Sequence, residues 1–291
     1  MNTLLSVVMS TYNRGDMLPQ AIDSILSQTF SDFEFLIIDD CSNDNTIDIL
    51  SSYNDSRIKI LKNRENKGCT FNYHVAHNIA KGRYIAHIDD DDISLPLRFE
   101  RQIEFLNDNE NISLLGTFIE TFGENKRPSW VFYTEPELLD LTMNVYNPIC
   151  HSSIIYDKHF FDRNGINYNL ACKCAQDYDL YKQIIFKGGK LANLPEVLVQ
   201  YRMHQKRLTD IFDTQQIQIN VAEDVKKQLL LRVLSEEEIV EFTSLITDFP
   251  YNNYDLDNVV KAFRIIKDKK YYDENIVEKV IVDIKNNLFK F

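Results

Sequence analysis

The chain has 291 residues, 44% of them hydrophobic and 12% aromatic, with a formal net charge of −12. That composition excludes a disordered protein, and the length allows one large core or a domain with an appendage. The acidic balance argues against general nucleic-acid binding, which needs Lys and Arg to neutralise phosphates, but permits a local basic pocket for one small anion.

Five cysteines without a CxxC pair fit reduced thiols better than a disulfide framework. No apolar run approaches the roughly 18 residues of a membrane span. The first run, Leu4 to Met9, has strand length and no basic flank of the kind a secretory signal carries. The chain therefore reads as soluble and cytoplasmic. Peripheral attachment at the inner face of the plasma membrane stays open through the terminal NNLFKF, whose plainer reading is a frayed helix end.

In chain order, LLSVVMS is a short continuous apolar run, the pattern of a strand buried on both faces. MLPQAIDSILSQTF follows with Leu18, Ile22, Ile25 and Leu26 at helical spacing and Pro19 in the first turn, where its missing N–H does no harm. FEFLIIDD is a second buried strand, NTIDILSSY a short helix, RIKILKN a third strand, FNYHVAHNIAKG a helix ending at Gly82, and RYIAHI a fourth strand. LPLRFERQIEFL reads as a helix, with Asp92 expected at its N-terminus. Beyond Asn111 the pattern loosens. SLLGTFIETFG reads as a strand pair or strand-turn, NPICHSSIIYD ends in a strand, DYDLYKQIIFKGG is a helix, and LANLPEVLVQYRMH is a last strand region. From about residue 209 the chain turns helical. Ile217, Val221, Val225 and Leu229 recur every fourth residue, Ser235 with Glu238 forms a capping-box signature, and Ile276, Val280, Ile284 and Leu288 line another face. Such stripes are expected to pack.

Strand-helix alternation implies a parallel sheet flanked by helices, and ligands bind such sheets beyond the carboxyl ends of the strands. Three strands end there in polar clusters: Ser10 to Asn13, Asp39 with Asp40, and the four aspartates Asp89 to Asp92. Neighbouring carboxylates repel by about 1 kcal/mol per pair even in water. A hard divalent cation offsets that cost, and Mg²⁺ or Mn²⁺ is usually held by one or two carboxylates together with substrate phosphates. In an extended or turn continuation Asp89 and Asp91 point the same way, which makes them the natural pair to share a cation and leaves Asp90 and Asp92 for other partners. A solvated acidic turn is the plainer alternative.

These blocks resemble family 2 of the inverting nucleotide-sugar glycosyltransferases. LSVVMSTYNRGDMLPQAIDSILSQTFSDFEFLIIDDCSNDNT looks like that family's opening strand, TYN turn, helix and strand-ending DDxSxD. NRENKGCTFNYHVAHNIAKGRYIAHIDDDDISLPLRFERQI resembles its NxG loop, asparagine-bearing helix and DxDD segment. NPICHSSIIYDKHFF, CAQDYDLYKQI and LPEVLVQYRMH resemble the acceptor-side blocks. The resemblance implies a GT-A fold, a Rossmann-like α/β architecture with a mostly parallel sheet. It places a glycosyltransferase domain over residues 1–208, with a nucleotide-binding half at 1–110 and an acceptor half at 111–208, and leaves 209–291 as a helical C-terminal region.

It also implies roles. Thr11, Tyr12 and Asn13 would line the base pocket, Asp40 would bind the uracil edge with Asp39 beside it, and Arg64 and Lys67 would offer basic contacts to the nucleotide. For Asp39 and Asp40 a helix cap, and for Arg64 and Lys67 plain solvation, is the alternative. Asn78 matches the helix asparagine, expected to buttress the rim. Asp91 would bind the cation, Asp89 ribose or cation, and Asp90 belongs with the donor-binding set; a register shift of one is open because all four positions are aspartate. His204 would sit near the metal and Arg202 near the diphosphate. Asp177 matches the catalytic base, with an N-terminal helix-dipole partner as its alternative, and His151 supports the floor or touches substrate.

The sequence departs from the commonest pattern at Ser10, Cys41 and Gln176. Gln176 replaces a glutamate beside the base and bears on acceptor preference. The implied activity moves a hexosyl or N-acetylhexosaminyl group from a UDP-sugar to a glycan or lipid-linked acceptor, with Mn²⁺ or Mg²⁺, in surface polysaccharide synthesis such as lipopolysaccharide or capsule. An acidic-strand phosphatase or nucleotidyltransferase fits the STYN turn badly. An inactive GT-A domain that binds a sugar nucleotide or a protein is the non-enzymatic alternative. For the helical end, packing beneath the domain, homodimer formation and approach to a membrane all remain open.

Overall fold

The computed structural model describes residues 4–124, 133–204, 212–246 and 255–286. The first half alternates as expected: β1 (Leu5–Thr11), α1 (Leu18–Leu26), β2 (Phe33–Asp39), α2 (Thr46–Ser52), β3 (Ile58–Lys62), α3 (Cys69–Ile79) and β4 (Tyr84–His87). There follow β5 (Ile93–Ser94), α4 (Arg98–Asp108), β6 (Ile112–Gly123), α5 (Pro136–Thr142), β7 (Ile155–Asp157), α6 (Lys158–Asn164), α7 (Gln176–Phe186) and β8 (Lys190–Met203). The eight strands form one sheet in the order β3-β2-β1-β4-β7-β6-β8-β5. β1 lies between β2 and β4, parallel to both, so the chain reverses its direction of winding at β1 and opens a crevice at the strand ends.

The sheet is mixed, not simply parallel, because β7 and β5 enter antiparallel and leave four of the seven pairings among the described residues parallel. SLLGTFIETFG is one continuous strand, not a pair. Gly116 is no turn: a β-carbon there would lie 2.3 Å from the Asn193 side-chain oxygen, so the residue is small to let β8 close in. Gly82 likewise does not stop a helix. α3 ends at Ile79, and Gly82 presses on the β1 backbone, where a β-carbon would meet the Ser6 nitrogen at 2.5 Å.

Helices cover both faces. Leu18, Ile22 and Ile25 of α1 and Phe99, Ile103 and Leu106 of α4 pack on one face. Tyr73 and Ala76 of α3 and Tyr178, Leu180, Tyr181 and Ile184 of α7 pack on the other. The C-terminal region supplies α8 (Phe212–Leu230), α9 (Glu236–Leu245), α10 (Leu256–Asp268) and α11 (Glu274–Lys285). Val225 and Leu229 of α8 are buried in the same cluster as α7. A side chain of that size contributes roughly 1.5–3 kcal/mol on full burial, so the pair holds α8 firmly to the helix layer over the sheet. The remaining helices build a second cluster with Leu138 and Leu141 of α5. The capping box at Ser235 and Glu238 is formed, and Val280 and Ile284 are buried. The side chains of Ile217 and Val221, the whole of Leu288, and residues 287–291 of the NNLFKF tail lie outside the described residues.

Gly82→Ala should cost about 1–3 kcal/mol by overpacking against the β1 backbone, read as a lowered urea midpoint with unchanged m-value. A wild-type midpoint would show that β1 gives way at no cost.

Candidate active site

The rim is assembled by short polar links between strand ends. Asp40, almost fully buried, accepts from the Asn63 amide (2.7 Å) and from the backbone N–H groups of Lys67 (2.9 Å) and Gly68 (2.8 Å), so its carboxylate shapes the loop after β3. Asn63 also donates to Asn72 (2.7 Å), which donates to Ser10 (2.8 Å). This chain ties β2, the 63–68 loop, α3 and β1 together. The asparagine that buttresses the rim is therefore Asn72. Asn78, expected in that role, is exposed at the other end of α3 and accepts from Asn167.

Asp39 is buried and accepts from the Ser42 N–H, and the Thr46 N–H at the start of α2 donates to Asp44. Neither Asp39 nor Asp40 caps that helix. Thr11 is buried, and Tyr12, 41% exposed, stands at the mouth as a flat surface. Asn13 accepts from the Asn43 N–H and donates its own N–H to Ser42 (2.9 Å), locking the first turn to the second. Arg64 is exposed, and the Lys67 ammonium pairs with Glu65, so both basic chains stand on the outer edge of the rim.

The four aspartates alternate. Asp89 and Asp91 are partly exposed while Asp90 and Asp92 are buried, as an extended-to-turn backbone closed by the Asp92 N–H on the Asp89 carbonyl requires. Each has a different partner. Asp89 accepts from the Tyr73 hydroxyl (3.1 Å) and its N–H donates to Ser152. Asp90 lies 3.5 Å from Arg14, which also reaches within 3.9 Å of Asp91. Asp91 meets His204 Nε2 at 2.9 Å. Asp92 accepts from the Arg202 N–H (2.8 Å) and does not cap α4, which begins under Leu97 without a side-chain cap. Arg202 spends its guanidinium on the Asp91 carbonyl (2.6 Å), Gln20 (2.6 Å) and the face of Phe122.

Beneath them Arg98 is wholly buried and donates to Gln102, Ser94 and the carbonyls of His87 and Ile154. Burial pulls its pKa down to about 9. Burial, and then the charge of Asp91, pushes Asp90 up to about 8, against the pull of Arg14. The same two causes in the same order raise Asp92 well above the usual carboxylate range.

Asp177 sits in the first turn of α7. Its Oδ1 accepts from the Tyr178 N–H (2.9 Å) and its Oδ2 from the Asn147 amide (2.8 Å). The Ile149 N–H donates to the Asn147 side-chain oxygen, which leaves the NH₂ group to face the carboxylate. Burial raises Asp177, while His151 and the Tyr178 N–H hold it down. His151 lies 3.9 Å from Asp89 and is near enough to Asp177 to act on its carboxyl.

Arg14, Tyr73, Arg98 and Asn147 are members of this site that sequence reasoning did not single out. Arg14 directly follows the TYN turn and was the one with a readable signal. The other three are joined to the aspartates only by the folded chain.

The sequence profile of glycosyl transferase family 2 matches residues 6–165. The chain belongs to glycosyl transferase family 2. It is 34% identical over 203 residues to the Escherichia coli UDP-Glc:alpha-D-GlcNAc-diphosphoundecaprenol beta-1,3-glucosyltransferase WfaP, covering 69% of this chain and 78% of that protein. It is 27% identical over 245 residues to an uncharacterized glycosyltransferase of Haemophilus influenzae, covering 80% of this chain and 75% of that one. Among solved structures, S. aureus TarS 1–349 in complex with UDP-GlcNAc superposes with a TM-score of 0.63 at 17% identity, over 98% of this chain and 92% of that one. The chain spans 53% of the longer TarS structure. This likeness shows the GT-A fold, and family membership makes the chain a glycosyltransferase.

A carboxyl held at about 8 in the fold, against an ordinary 3.8, keeps its proton where the unfolded chain has lost it. Stability from Asp90 is thus complete below about pH 4 and is lost as pH rises through about 8. In chelator, the melting temperature should fall between pH 6 and pH 8.5, and Asp90→Asn should flatten that slope. An unchanged slope in the variant would place the titration elsewhere.

Proposed function

We propose that this glycosyltransferase moves a hexose or N-acetylhexosamine from a UDP-sugar to a glycan acceptor with inversion, in bacterial surface-polysaccharide synthesis. The observation that carries the reading is the meeting of two acidic groups near one point: Asp89 and Asp91 after β4, and Asp177 at the start of α7, with His151 3.9 Å from Asp89 and both near enough to act on the Asp177 carboxyl. A single in-line displacement needs this layout. The acceptor hydroxyl attacks the anomeric carbon and gives its proton to Asp177, while the bond to the diphosphate breaks and UDP leaves with the electron pair on the opposite side.

Two partly exposed carboxylates fit a divalent cation that takes its other ligands from phosphate and water. Among the described residues no three His, Cys, Asp or Glu side chains close on one point, which suits a cation held jointly with the donor more than a preformed cage. Asp91, oriented by His204, and Asp89 would hold it. When bound, Mn²⁺ or Mg²⁺ offsets the charge that develops on the leaving diphosphate. Family 2 GT-A enzymes generally use such a metal.

For the protein's own residues, Tyr12 offers the base a stacking face, Thr11, Asn13, Asp39 and Asp40 shape its pocket, and Arg64 and Lys67 stand at the outer edge. Asp90 with Arg14, and Arg202, set the shape of the acidic turn beside the diphosphate. The UDP-glucose named for WfaP and the UDP-GlcNAc bound by TarS support a UDP donor. The diphosphoundecaprenol acceptor in the WfaP name supports a lipid-linked acceptor, and with it a peripheral position at the inner membrane face. No described helix is long and apolar enough to cross a membrane.

Calorimetric titration should show UDP binding that strengthens with Mn²⁺ and loses that dependence in Asp91→Asn. Binding indifferent to metal in both proteins would sink the assignment of the aspartates. Asp177→Asn should retain UDP binding and lose about 10²–10⁴ in turnover. Asn147→Ala should lose about tenfold, the effect of one hydrogen bond to a charged group. Full turnover in Asp177→Asn would send the base elsewhere.

A further inference from the structure

Three side chains beneath the acidic turn form a hydrogen-bonded chain that the reaction above leaves unused. His87 ends β4, Tyr168 lies in the loop between α6 and α7, and His151 opens a 3-10 turn, His151–Ser153, before β7. They are 1%, 2% and 8% exposed. The Tyr168 hydroxyl lies 3.2 Å from His87 Nε2 and 2.8 Å from His151 Nε2. Tyr73 closes the group from above, its ring centroid 4.9 Å from that of His87 and 5.0 Å from that of His151.

A phenol has one proton, so Tyr168 donates to one imidazole and accepts from the other. The chain therefore has two possible directions. If Tyr168 donates to His87, the His87 proton moves to Nδ1, which is buried with no protein partner. A buried N–H without an acceptor is rarer and costlier than a buried acceptor without a donor. If Tyr168 donates to His151 instead, His87 Nε2–H is satisfied and only a bare ring nitrogen is left. His151 then carries its proton on Nδ1, which faces the Asp89 carboxylate at 3.9 Å. A proton is favoured there, while a lone pair in its place would repel the carboxylate. Both ends of the chain select the second direction.

We propose that Tyr168 and His87 are positioning residues that lock His151 in its Nδ1–H tautomer, so that its N–H, and not a lone pair, faces the Asp89 carboxylate 3.9 Å away. The lock also decides between the two histidines near the aspartates. A protonated Nδ1 has no lone pair to offer a cation, so His151 stays out of the ligand set. The effect on turnover rests on the proposed glycosyl transfer; the tautomer does not.

The first test is the full-length protein labelled with ¹⁵N-histidine, with His151 assigned by the signal lost in His151→Asn. Long-range proton–nitrogen correlation at neutral pH should show His151 protonated at Nδ1 only and His87 at Nε2 only. A proton on His151 Nε2, alone or with one on Nδ1, would overturn the proposal whatever the activity. In Tyr168→Phe the His151 signals should average between tautomers and kcat should fall about three- to tenfold, with UDP affinity and donor KM unchanged. An unaltered His151 spectrum in that variant would overturn the role of Tyr168. The wild-type spectrum decides the direction even if the variant fails to fold. Full activity of Asp177→Asn alongside the expected spectrum would remove the catalytic reading and leave the lock in place.

Discussion

Four carboxylates crowded at the end of one strand repel by about 1 kcal/mol per pair in water and about 4 kcal/mol at the effective dielectric of a protein surface. Much of the molecule around β4 answers that constraint. The backbone first divides the charges, turning two toward the crevice and two inward. Counter-charges and donors then arrive from separate elements: Arg14 from the loop after β1, Arg202 and His204 from the end of β8, and Arg98 from α4. Each tie joins a different part of the chain to the same turn. The repulsion is thus converted into a set of long-range links that fix the rim, and Asp90 and Asp92, which answer it by holding protons, absorb what the links leave over.

Much of this was legible in the residues themselves. Continuous apolar runs gave β1, β2 and β4, and their polar endings gave the rim, because burial and alternation are local signals. The outward pairing of Asp89 with Asp91 followed from backbone geometry alone. Arg98 was hidden for the opposite reason. An arginine among Phe99, Glu100 and Arg101 reads as the wet side of an amphipathic helix, and only the sheet above α4 turns it into a buried cation. Asn147 was equally silent, since its partner Asp177 is thirty positions away. Asn78 and Asn72 share α3, and nothing within the helix shows which end meets the rim; Asp40 and the 63–68 loop decide it. Gly116 and Gly82 look like punctuation in one dimension and are close approaches in three.

Backbone strain follows the same map. Among the described residues four that are not glycine have positive φ: Asn13, Cys41, Ala175 and Lys270. The first three lie in the loops after β1, after β2 and before α7, the three that bring Tyr12, the Asp40 loop and Asp177 to the crevice. Left-handed backbone costs an ordinary L-residue roughly 1–2 kcal/mol, least for Asn. Ala175 has a methyl group and no polar side chain to offset that cost, and it directly precedes α7, whose first turn carries Asp177. The site is held in shape before any ligand arrives.

Val225 and Leu229, buried against α7, give the last third of the chain a mechanical meaning. The helix that carries Asp177 has the sheet on one side and α8 on another, and α8 leads directly into the bundle of α9, α10 and α11. The bundle is thus joined to the helix that carries Asp177 through the buried contacts of one helix, α8. The acidic turn after β4 rests on the same sheet, and Ile85 of β4 shares a core cluster with Tyr178 and Tyr181 of α7, so the two acidic groups have one floor in common and α8 braces only one of them.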